Sequence, residues 1–77
     1  MSKVKVIRGY TIHYDPEVAA GMEHIAYVLS REEQDSLFES AWRTGDVEFE
    51  DRKGRNFVLK SKSRWEFVLE KRKEGWF

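Results

Sequence analysis

The stretch from Ser30 to Gly45 narrows the folds open to this chain more than any other, because it encodes a helix bounded at both ends. Ser30-Arg31-Glu32-Glu33 fits a capping box, in which the Ser30 hydroxyl accepts from an orphan N–H and Glu33 reaches back to the Ser30 N–H. Gly45 supplies the left-handed residue that commonly closes a helix. Between them, Leu37, Phe38, Ala41 and Trp42 form one narrow apolar face, with Glu32, Asp35 and Glu39 directed outward. Acids crowd the first turns and Arg43 sits in the last, the signs the helix dipole favours. The spacing predicts a helix at about 31–44.

Beyond Gly45 the period changes to two. Val47 and Phe49, Phe57 and Leu59, then Trp65, Phe67 and Leu69 alternate with polar residues, as half-buried strands do. If Val47 and Phe49 share a face with Phe57 and Leu59, the pairs are 49–57 and 47–59. Arg52-Lys53-Gly54 is then a three-residue loop with glycine in its left-handed third position. The same reasoning pairs Phe57 with Phe67 and Leu59 with Trp65, around a turn at Ser61-Lys62-Ser63. Glu48 and Glu50 lie on one face of their strand and are expected to pair with Lys60 and Lys62 across the hairpin.

Before the helix, Lys3 to Tyr14 reads as a strand, with Val4, Val6, Tyr10, Ile12 and Tyr14 sharing one parity. Arg8 interrupts that parity, and Gly9 beside it marks a bulge or tight bend. Asp15 and Pro16 fit an N-cap followed by a first helical position. Val18, Met22, Ile25 and Leu29 make a helical stripe, but Gly21 would sit inside that helix at a cost of about 1 kcal/mol. Ile25-Ala26-Tyr27-Val28-Leu29 is rich in strand formers, so a loop or single turn at 16–21 and a strand at about 22–29 are expected. The whole is one α+β domain over residues 1–77 in the order ββαβββ, its capped helix laid on an antiparallel sheet.

Charge bears on function. Lys and Arg number 14 and so do Asp and Glu, which excludes a dominant field steering the molecule to nucleic acid or an anionic membrane. The balance hides a polarity, since residues 1–51 carry a net −6 and residues 52–77 a net +6. The simplest account is that oppositely charged strands pair with each other. With no cysteine there is neither a disulfide framework nor a thiolate metal site. The sequence shows no signal-peptide pattern and no apolar run long enough for a bilayer, so the expected location is the cytoplasm.

No motif carries catalysis. His13 with Asp15, and His24 with Glu23, are the raw material of a two-histidine carboxylate metal site, yet their spacing matches no metal motif. Ser30 is accounted for by its cap, and no phosphate-binding glycine loop is present. The reading is therefore a non-catalytic interaction or regulatory module without cofactor or small-molecule substrate. Its partner is another protein or a second copy in a homodimer. The candidate contacts are Trp76 and Phe77, because two large aromatics at a chain end cannot stay solvated cheaply, together with Tyr10 and Tyr14. The alternative is nonspecific nucleic-acid binding by the basic strands 52–73, through Arg55, Lys60, Lys62 and Arg64. That reading needs rings and cations on one surface. Strand parity instead assigns Phe57, Trp65 and Phe67 to the core and Lys60, Lys62 and Arg64 to the opposite face.

Overall fold

The computed structural model describes residues 2–72. In chain order they form β1 (Lys3–Ile7), β2 (Tyr10–Tyr14), a 3-10 turn (Pro16–Val18), and α1 (Ala19–Glu23) running into a π-helical turn (His24–Val28). Then follow α2 (Arg31–Thr44), β3 (Asp46–Glu50), β4 (Asn56–Ser63) and β5 (Glu66–Lys71). The fold is α+β: the helices cover one face of a five-stranded sheet ordered β1-β2-β5-β4-β3.

The local signals that bound α2 are realised in full. The Ser30 hydroxyl accepts from the Glu33 N–H at 3.1 Å, and the Ser30 N–H donates to the Glu33 carboxylate at 2.8 Å. Gly45 ends the helix with φ 95°. The first hairpin also has the expected register, Phe49 opposite Phe57 and Val47 opposite Leu59, with Gly54 at φ 79° in its loop. Asp51 holds that loop by accepting from the backbone N–H groups of Lys53 and Arg55 and from the Arg55 guanidinium at 2.7–3.0 Å.

Residues 22–29 are not a strand. Val18, Met22 and Ile25 are buried along the helical stripe that competed with that assignment. Gly21 lies inside α1 because a Cβ there would come within 2.8 Å of the Phe57 ring. The missing side chain lets the helix settle on the sheet, and this close contact outweighs the propensity cost that argued against a helix. The π-helical turn then redirects the Leu29 N–H to the His24 carbonyl at 3.1 Å and leaves Leu29 extended, directly before the Ser30 cap. Asp15 precedes the 3-10 turn and Pro16 opens it, but the Asp15 side chain makes no capping hydrogen bond.

The first segment is two strands, not one. Arg8 and Gly9 take φ 46° and 90°, the positive values a tight two-residue hairpin turn requires. Ile7 then faces Tyr10, and Val6 faces Thr11. This reversal puts Val4 and Val6 on the face opposite Ile12 and leaves them 57% and 61% exposed. The order is thus ββααβββ.

The sheet is mixed rather than wholly antiparallel. The helical layer carries the chain across to the far edge at β3, and the meander returns so that β5 lies parallel to β2. In the second hairpin Phe57 faces Lys71 and Leu59 faces Leu69, a shift of four residues from the expected pairs. Because four is even, Phe57, Leu59, Phe67 and Leu69 keep their buried face. The turn moves to Arg64-Trp65, with a bulge between Ser61 and Ser63. Among the described residues no helix is long and apolar enough to cross a membrane.

Replacing Gly21 by alanine should lower stability by about 1–2 kcal/mol in urea titrations, because overpacking against Phe57 exceeds the gain in helix propensity. A neutral or stabilising result would remove the packing account of this glycine. A second prediction concerns acid. Burial alone would raise the Asp51 carboxyl, but hydrogen bonds from Arg55 and Lys53 and the Arg55 charge hold it below the ordinary range. Bonds from the Ser30 N–H and hydroxyl hold Glu33 low as well. Groups depressed on folding stabilise above their unfolded pKa values of about 4, and this contribution is lost as pH falls through the lower folded values. Stability should therefore be flat from neutrality to about pH 5 and fall below that, with a shallower fall in Asp51→Asn and Glu33→Gln.

Candidate functional site: an aromatic cleft beside the β4–β5 turn

Residues 35, 38, 39, 42 and 43 follow the i, i+3, i+4, i+7, i+8 spacing that aligns side chains along one helix stripe. In α2 that stripe is Asp35, Phe38, Glu39, Trp42 and Arg43, and it forms one wall of a cleft of about 520 Å³. Tyr10 and Arg64 complete the lining.

The cleft is built around Tyr10. Its ring stacks on Phe38 with centroids 4.1 Å apart and planes 15° from parallel. On its other side Trp65 lies 4.9 Å away. Phe38 is buried and anchored on Phe67 at 5.0 Å, so the platform is continuous with the core. Trp42 and Trp65 are 43% and 50% exposed, and the Arg64 guanidinium sits 5.6 Å from the centre of the Trp65 ring. The Thr11 N–H donates to the Trp65 carbonyl at 2.8 Å, which ties this turn to β2.

The charges at the rim are unequal in availability. Asp35 is engaged by Arg8 at 2.9 Å, and Glu39 by Arg43 at 2.7 Å. Arg64 has no ion-pair partner among the described residues and is the cation left over at the cleft.

The expected contact residues divide accordingly. Tyr10 is in the cleft, whereas Tyr14 is half-buried and packs against the core at the other end of β2. Trp76 and Phe77 lie outside the described residues. Of the four cations named for nucleic acid, Arg55 is bound to Asp51 at 2.7 Å and Lys60 to Glu70 at 2.9 Å. The Glu70 hydrogen bond holds the Lys60 ammonium charged to higher pH than usual. Lys62 is exposed on the bulged end of β4, and Arg64 lies over Trp65. The register sets Glu48 opposite Val58 and Glu50 opposite Asn56, while Glu48 meets Arg72 at 3.4 Å and Lys60 meets Glu70. Among the described residues the expected pairing of Glu48 and Glu50 with Lys60 and Lys62 therefore does not form.

The histidines stand on different elements. His13 meets Glu66 across the sheet at 2.7 Å, and the His24 ring stacks over Phe49 at 6.0 Å. Among the described residues no cluster of three His, Asp or Glu side chains is placed to hold a metal. A larger cleft of about 770 Å³ lies at the Arg72 end of β5, where the described chain stops, and its described walls carry no aromatic side chain.

Strand alternation alone assigns Trp65 to the core, and the apolar helical face includes Trp42. Trp65 escapes because it occupies the turn rather than a strand, and a turn residue has no sheet face. Trp42 escapes because it follows Ala41 at the margin of the apolar stripe, where only Phe38 and Ala41 point squarely inward. No family model, curated protein or solved structure matches this chain.

Phe38→Ala should cost about 3–5 kcal/mol, as truncation of a buried aromatic does. Trp42→Ala and Trp65→Ala should each cost less than half as much in the same chemical-denaturation assay, since only part of each ring is removed from water. Equal losses at all three positions would assign the tryptophans to the core.

Proposed function

We propose that this chain is a non-catalytic protein-interaction module of the cytosol, docking a partner segment in the cleft between α2 and the Arg64-Trp65 turn. The observation that carries the reading is the pair of half-exposed tryptophans, Trp42 and Trp65, set beside a tyrosine on a platform continuous with the core. Trp, Tyr and Arg are the residue types that dominate binding energy at protein interfaces. A rigid ring also loses little conformational entropy when a partner covers it. The cysteine-free composition accords with a reducing compartment.

The chemistry of the partner segment follows from the rim. Apart from the buried Phe38, the rings of Tyr10 and Trp42 stand in an otherwise charged lining and offer contact to an apolar side chain. The acids Asp35 and Glu39 already have basic partners. Among the described residues Arg64 is the charge still to be met, so the segment carries a carboxylate next to its apolar anchor. The geometry offers some support to nucleic-acid binding, because Arg64 and Trp65 put ring and cation on one surface. Against it, Arg55 and Lys60 are neutralised by neighbours and two acids line the same cleft.

Selection of a random displayed-peptide library on the intact protein tests the reading. It should enrich sequences with Asp or Glu near a large apolar residue. The selected peptides should lose at least tenfold in affinity on Trp65→Ala or Arg64→Glu, about 1.4 kcal/mol, and little on Tyr14→Phe. Selected peptides indifferent to all cleft substitutions would sink the proposal. So would tight binding of single-stranded oligonucleotides at low salt, lost on Trp65→Ala, where no peptide is enriched.

A further inference from the structure

Among the described residues the strand order leaves β1 and β3 as the two edges of the sheet, each paired on one side only. β3 alternates charged and apolar residues throughout and β1 does so from Lys3 to Val6, with opposite sign. β1 reads Lys3-Val4-Lys5-Val6-Ile7 and β3 reads Asp46-Val47-Glu48-Phe49-Glu50. We infer that the chain self-associates head to tail, the basic β1 edge of one copy adding to the acidic β3 edge of the next.

The register can be written out. An antiparallel pairing sets Lys3 opposite Glu50, Val4 opposite Phe49, Lys5 opposite Glu48 and Val6 opposite Val47. In these four pairs each lysine meets a glutamate and each valine meets an apolar side chain, the cross-strand arrangement that stabilises a sheet, while the fifth pair, at the end of the strands, sets Ile7 opposite Asp46. Lys3 and Lys5 share the helix-covered face of their sheet with Tyr14 and Ile12, whereas Glu48 lies opposite Val58 on the uncovered face. Residues opposite one another point to the same side, so the pairing turns the second copy over, and helical layers alternate along the joined sheet. The exposed Val4 and Val6 thereby come beside Val47 and Phe49, which pack under the helices of the second copy.

The alternatives are poorer. Pairing β1 with β1, or β3 with β3, sets like charges opposite one another or charges opposite apolar side chains. Charged edges ordinarily block such self-pairing. Here the same charges block the symmetric contacts and leave open the one that joins unlike edges. Lys5 and Glu48 can exchange partners, because both hold theirs loosely at the surface: Lys5 lies over the exposed Tyr27 ring at 5.5 Å with its hydroxyl at 3.4 Å, and Glu48 meets Arg72 at 3.4 Å. A head-to-tail contact does not close on itself by symmetry, so it builds chains or rings and not a two-fold dimer.

Light scattering and sedimentation of the full chain, from about micromolar to millimolar protein, test the inference. At about 0.01 M salt the weight-average mass should rise past that of a dimer, and at about 1 M salt it should fall toward that of one chain. Lys3→Glu with Lys5→Glu makes both edges acidic, and Glu48→Lys with Glu50→Lys makes both basic. Each double variant alone should remain at single-chain mass at low salt. An equimolar mixture of the two should regain the wild-type mass, a recovery only folded chains can give. The inference is overturned by a monomeric wild type throughout the low-salt series, by a mass that stops at the dimer whatever the edge charges, or by variants that associate like wild type.

Discussion

The arrangement rests on one buried amide. Gln34 is only 5% exposed, and its Nε2 donates to the Ile25 carbonyl at 2.8 Å. That carbonyl needs an outside donor for a reason local to the chain. The π-helical turn has taken the Leu29 N–H for His24, and the capping box has taken the Ser30 N–H for Glu33. The Gln34 Oε1 accepts in turn from the Arg8 guanidinium at 3.1–3.2 Å, while Arg8 also donates to the Arg31 carbonyl at 3.0 Å and to Asp35. A single side chain thus joins the π-helical turn, α2 and the β1–β2 turn. An unpaired buried carbonyl costs about 1–3 kcal/mol, so the π-helical turn and Gln34 belong together.

Arg8 reaches this position through an unfavourable backbone conformation. Its φ of 46° lies in the left-handed region, which costs a residue with a side chain about 1–2 kcal/mol. Glycine would avoid that cost but would lose the guanidinium fork. The fork also sets the rotation of α2 over the sheet, since it grips Gln34 and Asp35 in the second turn of the helix. With α2 held there, Phe38 meets Tyr10 and the Asp35–Trp42 stripe becomes one wall of the cleft. The geometry of the candidate site therefore follows from the demand of one carbonyl.

What could be read from the residues depended on how far each determinant reaches along the chain. The Ser30 box, Gly45 and the Gly54 hairpin are set within a few residues, and each was legible. Gly21 argues against a helix in the sequence alone because its reason lies across the fold, at Phe57. Val4 and Val6 share a sequence parity with Ile12, but the Arg8-Gly9 turn reverses it, and the parity alone gives no sign of this. The β4–β5 register slipped by four residues because no glycine marks the turn, while even parity kept the right side chains inside. The same slip hid the site. Once Arg64-Trp65 is the turn, ring and cation leave the strand pattern together and meet Tyr10.

The polarity of −6 and +6 between the two stretches of sequence also takes on a physical form. Part of it is settled within the sheet, where Arg72 of the basic segment meets Glu48 of the acidic one at 3.4 Å. Another part remains at the borders: the acidic edge is β3, and the basic edge is β1, which belongs to the otherwise acidic half. The cleft opens beside the Arg64-Trp65 turn, at the ends of the strands, while the edges run along the sides of the sheet. Occupying one therefore does not cover the other. Copies joined edge to edge would present their clefts on alternating faces of a continuous sheet. A partner with two suitably spaced segments would then bind such an array more tightly than a single copy, because its second contact forms within the complex and not from free solution.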